Sequence, residues 1–477
     1  MIKADFDLIL DPSLGKFKDE CGVFGVYSET PMDVAGMTYY GLYALQHRGQ
    51  ESAGIAVADG ETIQMHKGLG LITEAFANSE DLKKLKGNIA IGHVRYSTTG
   101  ANTVENSQPL LANSKLGPIS LAHNGNLVNA DVIKELLEEG GHIFHTSIDS
   151  EVIATLIARG AKKGLEQAVV DAMQAIRGSF AMVIISKDKL IGARDPHGIR
   201  PLCIGKSGDA YILASESVAL DAVGAEFIRD VKPGEMVTID KDGIKSYQYS
   251  EDAGCQTCAF EYIYFARPDS KIDGLDVYST RVKSGEQLYA ENPIEADIVA
   301  AVPDSGIPAA IGYSKASGIP YGIAFVKNRY VGRTFITPSQ ELREKAVSVK
   351  LNPLKVNVKG KRVIIIDDSI VRGTTSKHLV DALRDAGATE VHFLVASPPV
   401  KFPCYFGIDT PYRSELIGAN YSIPEIGEMI GADSIGYLSM EGMYKAFTGK
   451  KGFCVGCFNG VYPVATPIET SKDHLER

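Results

Sequence analysis

The sequence contains no long apolar run and no excess of positive charge. A membrane-spanning helix needs about 18 or more consecutive apolar residues, whereas even the most apolar runs, such as RVIIIDDSIV, are interrupted by aspartate. Lysine and arginine number 49 against 59 aspartate and glutamate residues, which gives a formal net charge of -10. The positive field that drives non-specific nucleic-acid binding is therefore missing. We expect neither a membrane protein nor a general nucleic-acid binder.

A secretory signal, internal repeats and low-complexity tracts are also missing. The first twenty residues scatter five acids and three lysines without an apolar core, unlike a signal peptide. Hydrophobic residues make up 44% and charged residues 23%, close to the averages for folded water-soluble proteins. A chain of 477 residues is long enough for two or three domains. We expect an ordinary folded, cytoplasmic protein.

The pattern of apolar runs changes near residue 250. Before it, short apolar runs alternate with two helical stretches at Asp131–Glu139 and Ser150–Arg159. After it, strands and helices alternate regularly, which indicates a parallel, doubly wound sheet that binds ligands beyond the carboxyl ends of its strands. We therefore predict an α/β chain with domains at 21–250 and 251–445 and a C-terminal tail at 446–477.

One segment has the layout of a phosphate site. In KRVIIIDDSIVRGTTSK, the strand Val363–Ile366 leads into Asp367 and Asp368, and a loop then leads into a helix. Backbone N–H groups and hydroxyls at a helix N-terminus can surround an anion, and carboxylates can hold ribose hydroxyls or Mg²⁺. The loop residues concerned are Arg372, Gly373, Thr374, Thr375 and Ser376. The structural alternative is a strand-end turn with two capping acids.

This segment resembles the phosphoribosyl-diphosphate (PRPP) signature of type I phosphoribosyltransferases. The resemblance implies that Asp367 and Asp368 contact the ribose hydroxyls and Mg²⁺, while the loop holds the 5′-phosphate. It also implies a pyrophosphate loop, which AAVPDSGIPAA at 300–310 fits, where Ser305 supplies an oxygen to the metal or is a simple turn residue. A lid is expected at 327–344, or else a solvated basic loop. Its cationic donors are Lys327, Arg329 and Arg333.

The first half of the chain carries four further motifs behind a cysteine. Cys21 begins the run CGVFGVY, and the motifs LQHRGQESAGIA, GHVRYSTTG, LAHNGNLVN and TSIDSE follow it. Taken alone, a cysteine at this position is most simply a buried core residue. In order and spacing, however, the motifs resemble class II glutamine amidotransferases with an N-terminal nucleophile. That resemblance implies a four-layer αββα glutaminase domain.

The resemblance also implies how the glutaminase works. The family's nucleophile is the first residue of the mature chain, so residues 1–20 are expected to be a propeptide whose removal exposes Cys21. The freed α-amino group, with a pKa of about 7.7–8.0, can then serve as the base. Arg48, in the QHRGQ motif, is expected to support the glutamine site, although this motif also has the form of a helix-ending turn.

The remaining motif residues have implied roles in binding glutamine. The Asn124 side-chain amide and the Gly125 backbone N–H are expected to stabilise the tetrahedral oxyanion. Arg95 is expected to bind the carboxylate of glutamine and Asp149 its α-ammonium group. His123 could act as a general base, but this mechanism does not require one, so we interpret it as structural.

The seven cysteines include two CxxC pairs. Spacing alone suggests a four-cysteine zinc site formed by both pairs, Cys255 with Cys258 and Cys454 with Cys457. The chain also resembles the propeptide-bearing subgroup of the family, which implies a [4Fe–4S] cluster with ligands at Cys258, Cys404, Cys454 and Cys457. In that case Cys255 is a bystander. Cys203 is expected in the packed core.

Together the two resemblances imply a glutamine-dependent phosphoribosyltransferase. Ammonia from glutamine would pass along an enclosed path to Mg²⁺-bound PRPP and give 5-phosphoribosylamine, glutamate and pyrophosphate, the first committed step of purine synthesis. They also imply a homotetramer inhibited by purine nucleotides such as AMP, ADP or GMP. The alternatives are a related synthase with a sugar-isomerase or adenylating acceptor domain, a non-enzymatic PRPP sensor, and a glutaminase-dead paralogue that uses free ammonia.

Overall fold

The computed structural model describes residues 21–96, 101–251, 254–328, 351–410, 412–449 and 452–466. The predicted propeptide at 1–20, and Arg329 and Arg333 of the predicted lid, lie outside the described residues. Within the described ranges, no helix has both the length and the apolar character needed to cross a membrane.

The first part of the chain is built on two antiparallel sheets. Its strands are β1 (Gly22–Tyr27), β2 (Ser52–Ala58), β3 (Ile63–Leu69), β4 (Ile89–Arg95), β5 (Leu110–Ser114), β6 (Gly117–Leu127), β7 (Gly178–Ile185), β8 (Leu190–Arg194), β9 (Cys203–Ser207), β10 (Ala210–Ala214), β11 (Glu226–Asp230), β12 (Glu235–Asp240) and β13 (Gly243–Gln248). The strand orders are β11-β9-β10-β1-β4-β2-β3 and β13-β12-β8-β7-β6-β5.

Helices cover the outer faces of both sheets. They are α1 (Val34–Ala44), α2 (Ile72–Ala75), α3 (Ser79–Lys84), α4 (Ala130–Glu139), α5 (Asp149–Gly160), α6 (Leu165–Ala175) and α7 (Ser217–Ala222), with a 3₁₀ turn at Ala161–Lys163. Successive side chains of a strand point to opposite faces. Val23 accordingly joins the core between the sheets, whereas Phe24 joins the core under α1. The layers are helix, sheet, sheet, helix, which confirms the expected αββα architecture, and α4 and α5 match the two predicted helices to within one residue.

The second part is built on a parallel sheet. Its strands are β14 (Thr257–Cys258), β15 (Lys271–Ile272), β16 (Leu275–Asp276), β17 (Ile298–Ala301), β18 (Phe325–Lys327), β19 (Leu351–Pro353), β20 (Arg362–Asp367), β21 (Glu390–Val395), β22 (Ser434–Tyr437) and β23 (Phe453–Cys454). Four of these strands form the main sheet, in the order β17-β20-β21-β22, and they are parallel throughout. The other six form three two-stranded sheets. Buried cores lie on both faces of the main sheet, which confirms the predicted doubly wound sheet.

The helices of the second part complete these layers. They are α8 (Val277–Glu291), α9 (Ile307–Ser317), α10 (Lys355–Val358), α11 (Thr374–Asp385), α12 (Ile417–Asn420), α13 (Ile423–Ile430), α14 (Met440–Ala446) and α15 (Gly456–Asn459), with a π-helical turn at Glu261–Phe265 and a 3₁₀ turn at Arg413–Glu415. Near the C-terminus, β23 pairs in parallel with β14 and sets Cys454 opposite Cys258. The C-terminal segment thus packs against the start of the second part.

Candidate active sites

A small pocket lies beside Cys21. The residues lining it are Cys21, Arg95, Tyr96, Gln108, His123, Gly125, Ile148, Asp149 and Ser150. Cys21 immediately precedes β1, and its Sγ donates a hydrogen bond to the Tyr96 carbonyl oxygen at 3.3 Å. The fold therefore gathers three of the predicted glutamine-site residues, Arg95, Gly125 and Asp149, from widely separated motifs around the Cys21 thiol.

The predicted oxyanion donors lie together on β6. Asn124 is buried, and within the described part of the chain its side-chain Nδ2 has no hydrogen-bond partner. Gly125 has a φ of +145°, and a Cβ there would lie 2.1 Å from the Ser179 carbonyl oxygen. Only glycine fits at that position. Because an unsatisfied buried donor is rare and costly, Asn124 is well suited to an oxyanion that forms only during reaction.

A buried cation and a buried anion line the same pocket. Burial lowers the pKa of Arg95, while the charges of Cys21, Glu51 and Asp149 oppose that shift. Asp149 begins α5, and its carboxylate accepts a hydrogen bond from the Leu127 N–H at 2.9 Å. A guanidinium and a carboxylate around one small pocket match the two charged ends of an α-amino acid.

His123 is held by backbone and side-chain hydrogen bonds. Its N–H donates to Gln108 Oε1 at 2.7 Å, its carbonyl accepts from Gln108 Nε2 at 3.3 Å, and its Nδ1 lies 3.2 Å from Ser150 Oγ. Burial lowers the pKa of His123, so the ring is neutral at physiological pH. These contacts favour the structural interpretation. Gln108 and Ser150 were not singled out from the sequence, and no local motif points to Gln108.

Arg48 lies behind the pocket rather than in its wall. Its side chain is inaccessible to solvent, with Nε bonded to Glu216 and Nη2 bonded to Glu261. A Cβ placed at Gly22 would lie 3.3 Å from Arg48 Cδ, so the stem of Arg48 packs against the residue next to Cys21. Arg48 can therefore support the nucleophile's strand, while both carboxylates engage its guanidinium.

The predicted phosphate site lies at the carboxyl end of β20. Ser305 Oγ donates to the Asp368 carboxylate, and Ser369 Oγ donates to Asp368 Oδ1 at 2.6 Å. The Asp368 N–H donates to Asp367 Oδ1 at 2.9 Å. The hydrogen bond from Ser305 joins the β17 loop to the paired acids, as expected for a pyrophosphate loop beside the ribose site.

The loop after these acids is shaped to receive an anion. Gly373 has a φ of +82° and precedes α11, which begins at Thr374. The Thr374 hydroxyl is buried and has no hydrogen-bond partner among the described residues. The predicted ligand Arg372 contacts Glu415, with Nη2 to Oε2 at 2.6 Å. Lys327 Nζ donates to Asp304 Oδ2 at 2.6 Å, which places this lysine beside the β17 loop.

A second small cavity lies next to Asp368. It is lined by Ile263, Arg281, Ser284, Ser305, Ala309, Asp368 and Ala396. Arg281 donates to the Tyr262 and Ala266 carbonyls at 2.7 and 2.8 Å. Burial lowers the pKa of Arg281 to about 10, although the charge of Asp368 opposes that shift. Arg281 was not identified from the sequence, because it lies in a helix far along the chain from the signature.

The cysteines predicted as cluster ligands lie in one region of the core. None of the seven cysteines forms a disulfide, and Cys258, Cys454 and Cys457 are buried. Burial raises the pKa of Cys454 to about 12, and the neighbouring Cys404 adds to that shift. The thiol of Cys404 accepts a hydrogen bond from the Phe406 N–H at 3.3 Å, an interaction that also occurs at cluster-ligating sulfurs. In the described part of the chain, no group of three or more His, Cys, Asp or Glu side chains is arranged to hold a metal ion.

The two other cysteines discussed from the sequence lie elsewhere. The Sγ of Cys255 lies 3.2 Å from Thr257 Oγ1 and 3.6 Å from Asp273 Oδ2, which suits the bystander interpretation. Cys203 is 2% exposed within the core under α1, as predicted.

Comparisons with known proteins match both parts of the chain. A glutamine amidotransferase domain profile matches residues 93–222 and a phosphoribosyl transferase domain profile matches 285–397. The second match speaks against an isomerase or adenylating acceptor domain. The chain is 50% identical over 465 residues to the amidophosphoribosyltransferase of Bacillus subtilis, covering 96% of this chain and 97% of that protein. It is also 50% identical over 461 residues to the amidophosphoribosyltransferase of Methanothermobacter thermautotrophicus, covering 95% and 97%.

Solved structures give the same result. The glutamine PRPP amidotransferase from B. subtilis, complexed with ADP and GMP, superimposes with a TM-score of 0.89 at 50% identity, covering 95% of this chain and all of that one. A structure described as the allosteric regulatory enzyme of purine biosynthesis superimposes with a TM-score of 0.90 at 50% identity, covering 96% of this chain and 99% of that one. With both domains matched over nearly the whole length, the chain belongs to the amidophosphoribosyltransferase family.

Proposed function

We propose that Cys21 cleaves glutamine and that the ammonia released displaces pyrophosphate from PRPP bound at Asp367–Ser376. The observation that carries this assignment is the pocket beside Cys21. There the Cys21 thiol, Gly125 and the side chains of Arg95 and Asp149 line one small space, and Asn124, next to Gly125 on β6, has a buried amide donor without a partner among the described residues. That combination suits the cleavage of an amide in a substrate that carries both a carboxylate and an ammonium group.

The first reaction consists of thiol addition and amide cleavage. The sulfur of Cys21 attacks the side-chain carbonyl carbon of glutamine, and the oxygen becomes an oxyanion bonded to the Asn124 amide and the Gly125 N–H. Collapse of this intermediate breaks the C–N bond and leaves a thioester on Cys21. Water then hydrolyses the thioester to glutamate. The α-amino group of Cys21, exposed once residues 1–20 are removed, takes the thiol proton and gives it to the departing nitrogen.

The second reaction takes place at the end of β20. Asp367 and Asp368 bind the ribose hydroxyls, and the Thr374 hydroxyl with the backbone N–H groups of the loop binds the 5′-phosphate. Lys327, beside the β17 loop, binds the pyrophosphate. Mg²⁺ held by oxygens of Ser305, Asp367 and Asp368 would neutralise charge on the leaving pyrophosphate. Ammonia attacks C1 as the bond to pyrophosphate breaks.

The ammonia must travel inside the protein. In bulk water it is protonated and no longer nucleophilic, so an enclosed path is required. Ile263, in the π-helical turn, lines the cavity beside Asp368, while Glu261 in the same turn binds Arg48 behind the Cys21 strand. This turn is therefore the segment that connects the two sites.

Three further properties are part of the proposal. Cys258, Cys404, Cys454 and Cys457 would ligate a [4Fe–4S] cluster, which is supported by four thiols in one core region, and the cluster would hold the C-terminal segment in place. Purine nucleotides such as AMP, ADP and GMP would inhibit the enzyme, as suggested by the ADP and GMP bound to the B. subtilis relative. The active form would be a cytoplasmic homotetramer.

The decisive experiment measures both products in one reaction. Purified protein is incubated with glutamine and Mg²⁺, with and without PRPP, while glutamate and pyrophosphate are measured and mass spectrometry determines the N-terminus. The proposal expects both products to form together when PRPP is present, on a chain that begins at Cys21. If pyrophosphate forms with neither glutamine nor ammonia, the PRPP site is not catalytic.

A further inference from the structure

A short segment of the second part lies directly against the oxyanion strand of the first. This segment, Tyr405–Gly407, follows Cys404 in the chain and is about 280 residues away from Asn126 in sequence. Phe406 and Gly407 are buried. The segment therefore contacts the glutaminase site, although it lies in the second part of the chain.

Four hydrogen bonds, two of them from the Arg200 guanidinium through Nε and Nη2, fasten this segment to the first part of the chain. The Phe406 carbonyl oxygen accepts from Ser179 Oγ at 2.8 Å and from Arg200 Nε at 2.9 Å. The Tyr405 carbonyl oxygen accepts from Asn126 Nδ2 at 3.0 Å. Ser179 and Arg200 are fully buried, so these bonds are sheltered from competing water and hold the segment in one position.

The backbone of Gly407 approaches that of Gly125 closely. A Cβ added at Gly407 would lie 3.1 Å from the Gly125 carbonyl carbon and 3.3 Å from its Cα. Gly125 is also confined by the Ser179 carbonyl oxygen, which would be 2.1 Å from a Cβ at Gly125. Both Gly407 and strand β7 thus approach Gly125 closely.

We propose that Gly407 is a positioning residue for the glutamine reaction, because its backbone confines Gly125, the residue whose N–H completes the oxyanion hole. This inference rests on the proposed role of Cys21 and Gly125. A hydrogen-bond donor aids catalysis only when it points at the place where the oxyanion forms. A Cβ at Gly407 would press on the carbonyl carbon and Cα of Gly125, which the Ser179 carbonyl oxygen also confines, and on Arg200 Nη2 at 3.1 Å, so we expect the Gly125 N–H to be displaced from its position.

The test compares two glycine-to-alanine variants with matched backbone strain. Gly407 has a φ of +101°, and Gly164 has a φ of +99° with no atom within 4 Å of the added Cβ. Gly164→Ala therefore carries the strain of alanine at positive φ without the contact. We expect Gly407→Ala to lower the kcat of glutamine hydrolysis by about tenfold or more, because small misplacements of catalytic groups are costly. The KM for glutamine should change less than about twofold, since Arg95 and Asp149 remain in place.

Ammonia-dependent synthesis is the internal control, because it uses the second site alone. It should be unchanged in Gly407→Ala. A second variant, Ser179→Ala, removes one donor to the Phe406 carbonyl and the acceptor of the Asn126 N–H at 3.4 Å, and it keeps Arg200, so a smaller loss of kcat is expected. This variant introduces no new contact, and it keeps the inference testable if Gly407→Ala folds poorly.

A binding measurement separates the oxyanion hole from ground-state binding. Glutamate γ-semialdehyde adds the Cys21 thiol across its C=O bond, so that an S–C bond forms and the thiol proton moves to the former carbonyl oxygen, which then lies in the hole. Gly407→Ala should weaken binding of this aldehyde by about tenfold, in parallel with kcat, and leave glutamate binding unchanged.

Three results would overturn the inference. They are an equal loss in Gly164→Ala, a rise in KM with unchanged kcat, and a parallel loss of ammonia-dependent synthesis. Failure of the proposed function would look different. In that case the wild-type protein would not bind the aldehyde, and the Cys21→Ala variant would still cleave glutamine.

Discussion

Arg48 and Glu261 form a hydrogen-bonded ion pair between the two parts of the chain, and neither side chain is exposed to solvent. The same guanidinium binds Glu216 through Nε. Glu216 also accepts hydrogen bonds from Ser270 Oγ at 2.6 Å and the Arg267 N–H at 3.0 Å. Because breaking a buried pair leaves an uncompensated charge, this network locks the glutaminase sheets onto the turn that leads to the PRPP site.

The first prediction concerns Arg48→Met. Burial acts to raise the pKa of Glu216, but Arg48 and His47 hold this pKa below its usual range. The stabilisation that comes from the ionised Glu216 carboxylate is fully present above the ordinary glutamate pKa. It is lost as the pH falls through the pKa of Glu216 in the folded state. Arg48→Met should therefore destabilise the protein by about 3–5 kcal/mol at pH 7 and by less at pH 4, as measured by urea denaturation.

The control for this variant is Arg229→Met. Arg229 binds Glu235 through two contacts at 2.7 and 2.8 Å, but its side chain is 34% exposed. A partly exposed pair contributes about 1 kcal/mol or less. Equal losses of unfolding free energy in Arg48→Met and Arg229→Met would contradict the role given to burial of the Arg48 ion pairs.

The second prediction separates the two active sites. Cys21→Ala removes the sulfur that attacks glutamine and leaves the PRPP site, on separate elements, intact. Glutamine-dependent formation of 5-phosphoribosylamine should be lost, whereas synthesis from added ammonia should persist. A variant that loses both activities would refute the division of labour between the two parts.

The third prediction concerns the paired acids. Asp367→Asn and Asp368→Asn each remove a charge that we propose accepts hydrogen bonds from the ribose hydroxyls or binds Mg²⁺, so kcat/KM for PRPP should fall by at least about tenfold. Basal glutaminase activity should remain. Asp297→Asn is the control, because Asp297 pairs with Arg362 at the opposite end of the same sheet. Normal PRPP kinetics in both active-site variants would show that these acids are misassigned.

The fourth prediction is a pH dependence at the junction between the sheets and the second part. Burial, followed by the charge of Asp273, raises the pKa of Asp230 to about 6. The charged form of Asp230 is thus disfavoured in the folded state. The free energy of unfolding therefore falls as the pH rises from about 4 to about 6. Asp230→Asn should raise the Tm at pH 7.5 and leave it unchanged at pH 4.

Asp273→Asn should have the opposite effect. Although burial acts to raise the pKa of Asp273, Arg194 lowers it, and the two side chains share two contacts of 2.8 Å. Losing this charge should lower the Tm most at neutral pH and less at pH 4. Tm changes of the same sign in both variants at pH 7.5 would contradict the assigned environments.

The fifth prediction concerns the cysteines. Anaerobically purified protein should contain about four iron and four sulfide per chain. Cys457→Ser should lose this iron, whereas Cys255→Ser should keep it, because Cys255 contacts Thr257 and Asp273 instead. Zinc in place of iron, lost in both variants, would support the four-cysteine zinc site.

Much of the architecture could be predicted from local patterns. The helices α4 and α5 have one apolar face each, and their predicted bounds match to within one residue. The strand before Asp367 was predicted from its run of β-branched residues. Helix α1 was not predicted, because VAGMTYYGLYA has no polar face and its apolar residues do not distinguish a helix from a strand.

The site residues also divide into those that a local motif predicts and those that it does not. Cys21, Arg95, Gly125 and Asp149 could be recognised because each lies in a contiguous motif, and the fold brings them to one pocket. Gln108 and Arg281 could not be recognised, since each contributes through a contact far away in the chain. Arg48 was predicted to support the glutamine site, but its two carboxylate partners, Glu216 and Glu261, come from distant segments and were not predicted.

Residue order alone was enough to predict the chemistry that we propose for this protein, because a nucleophilic thiol, an amide donor and a phosphate loop each need particular residues at short spacing. The connection between the two reactions comes only from the folded chain. The contacts of Arg48 with Glu261 and of Gly407 with Gly125 join residues more than 200 positions apart. Such contacts depend on how sheets and loops pack, and packing over that separation leaves no pattern in neighbouring residues.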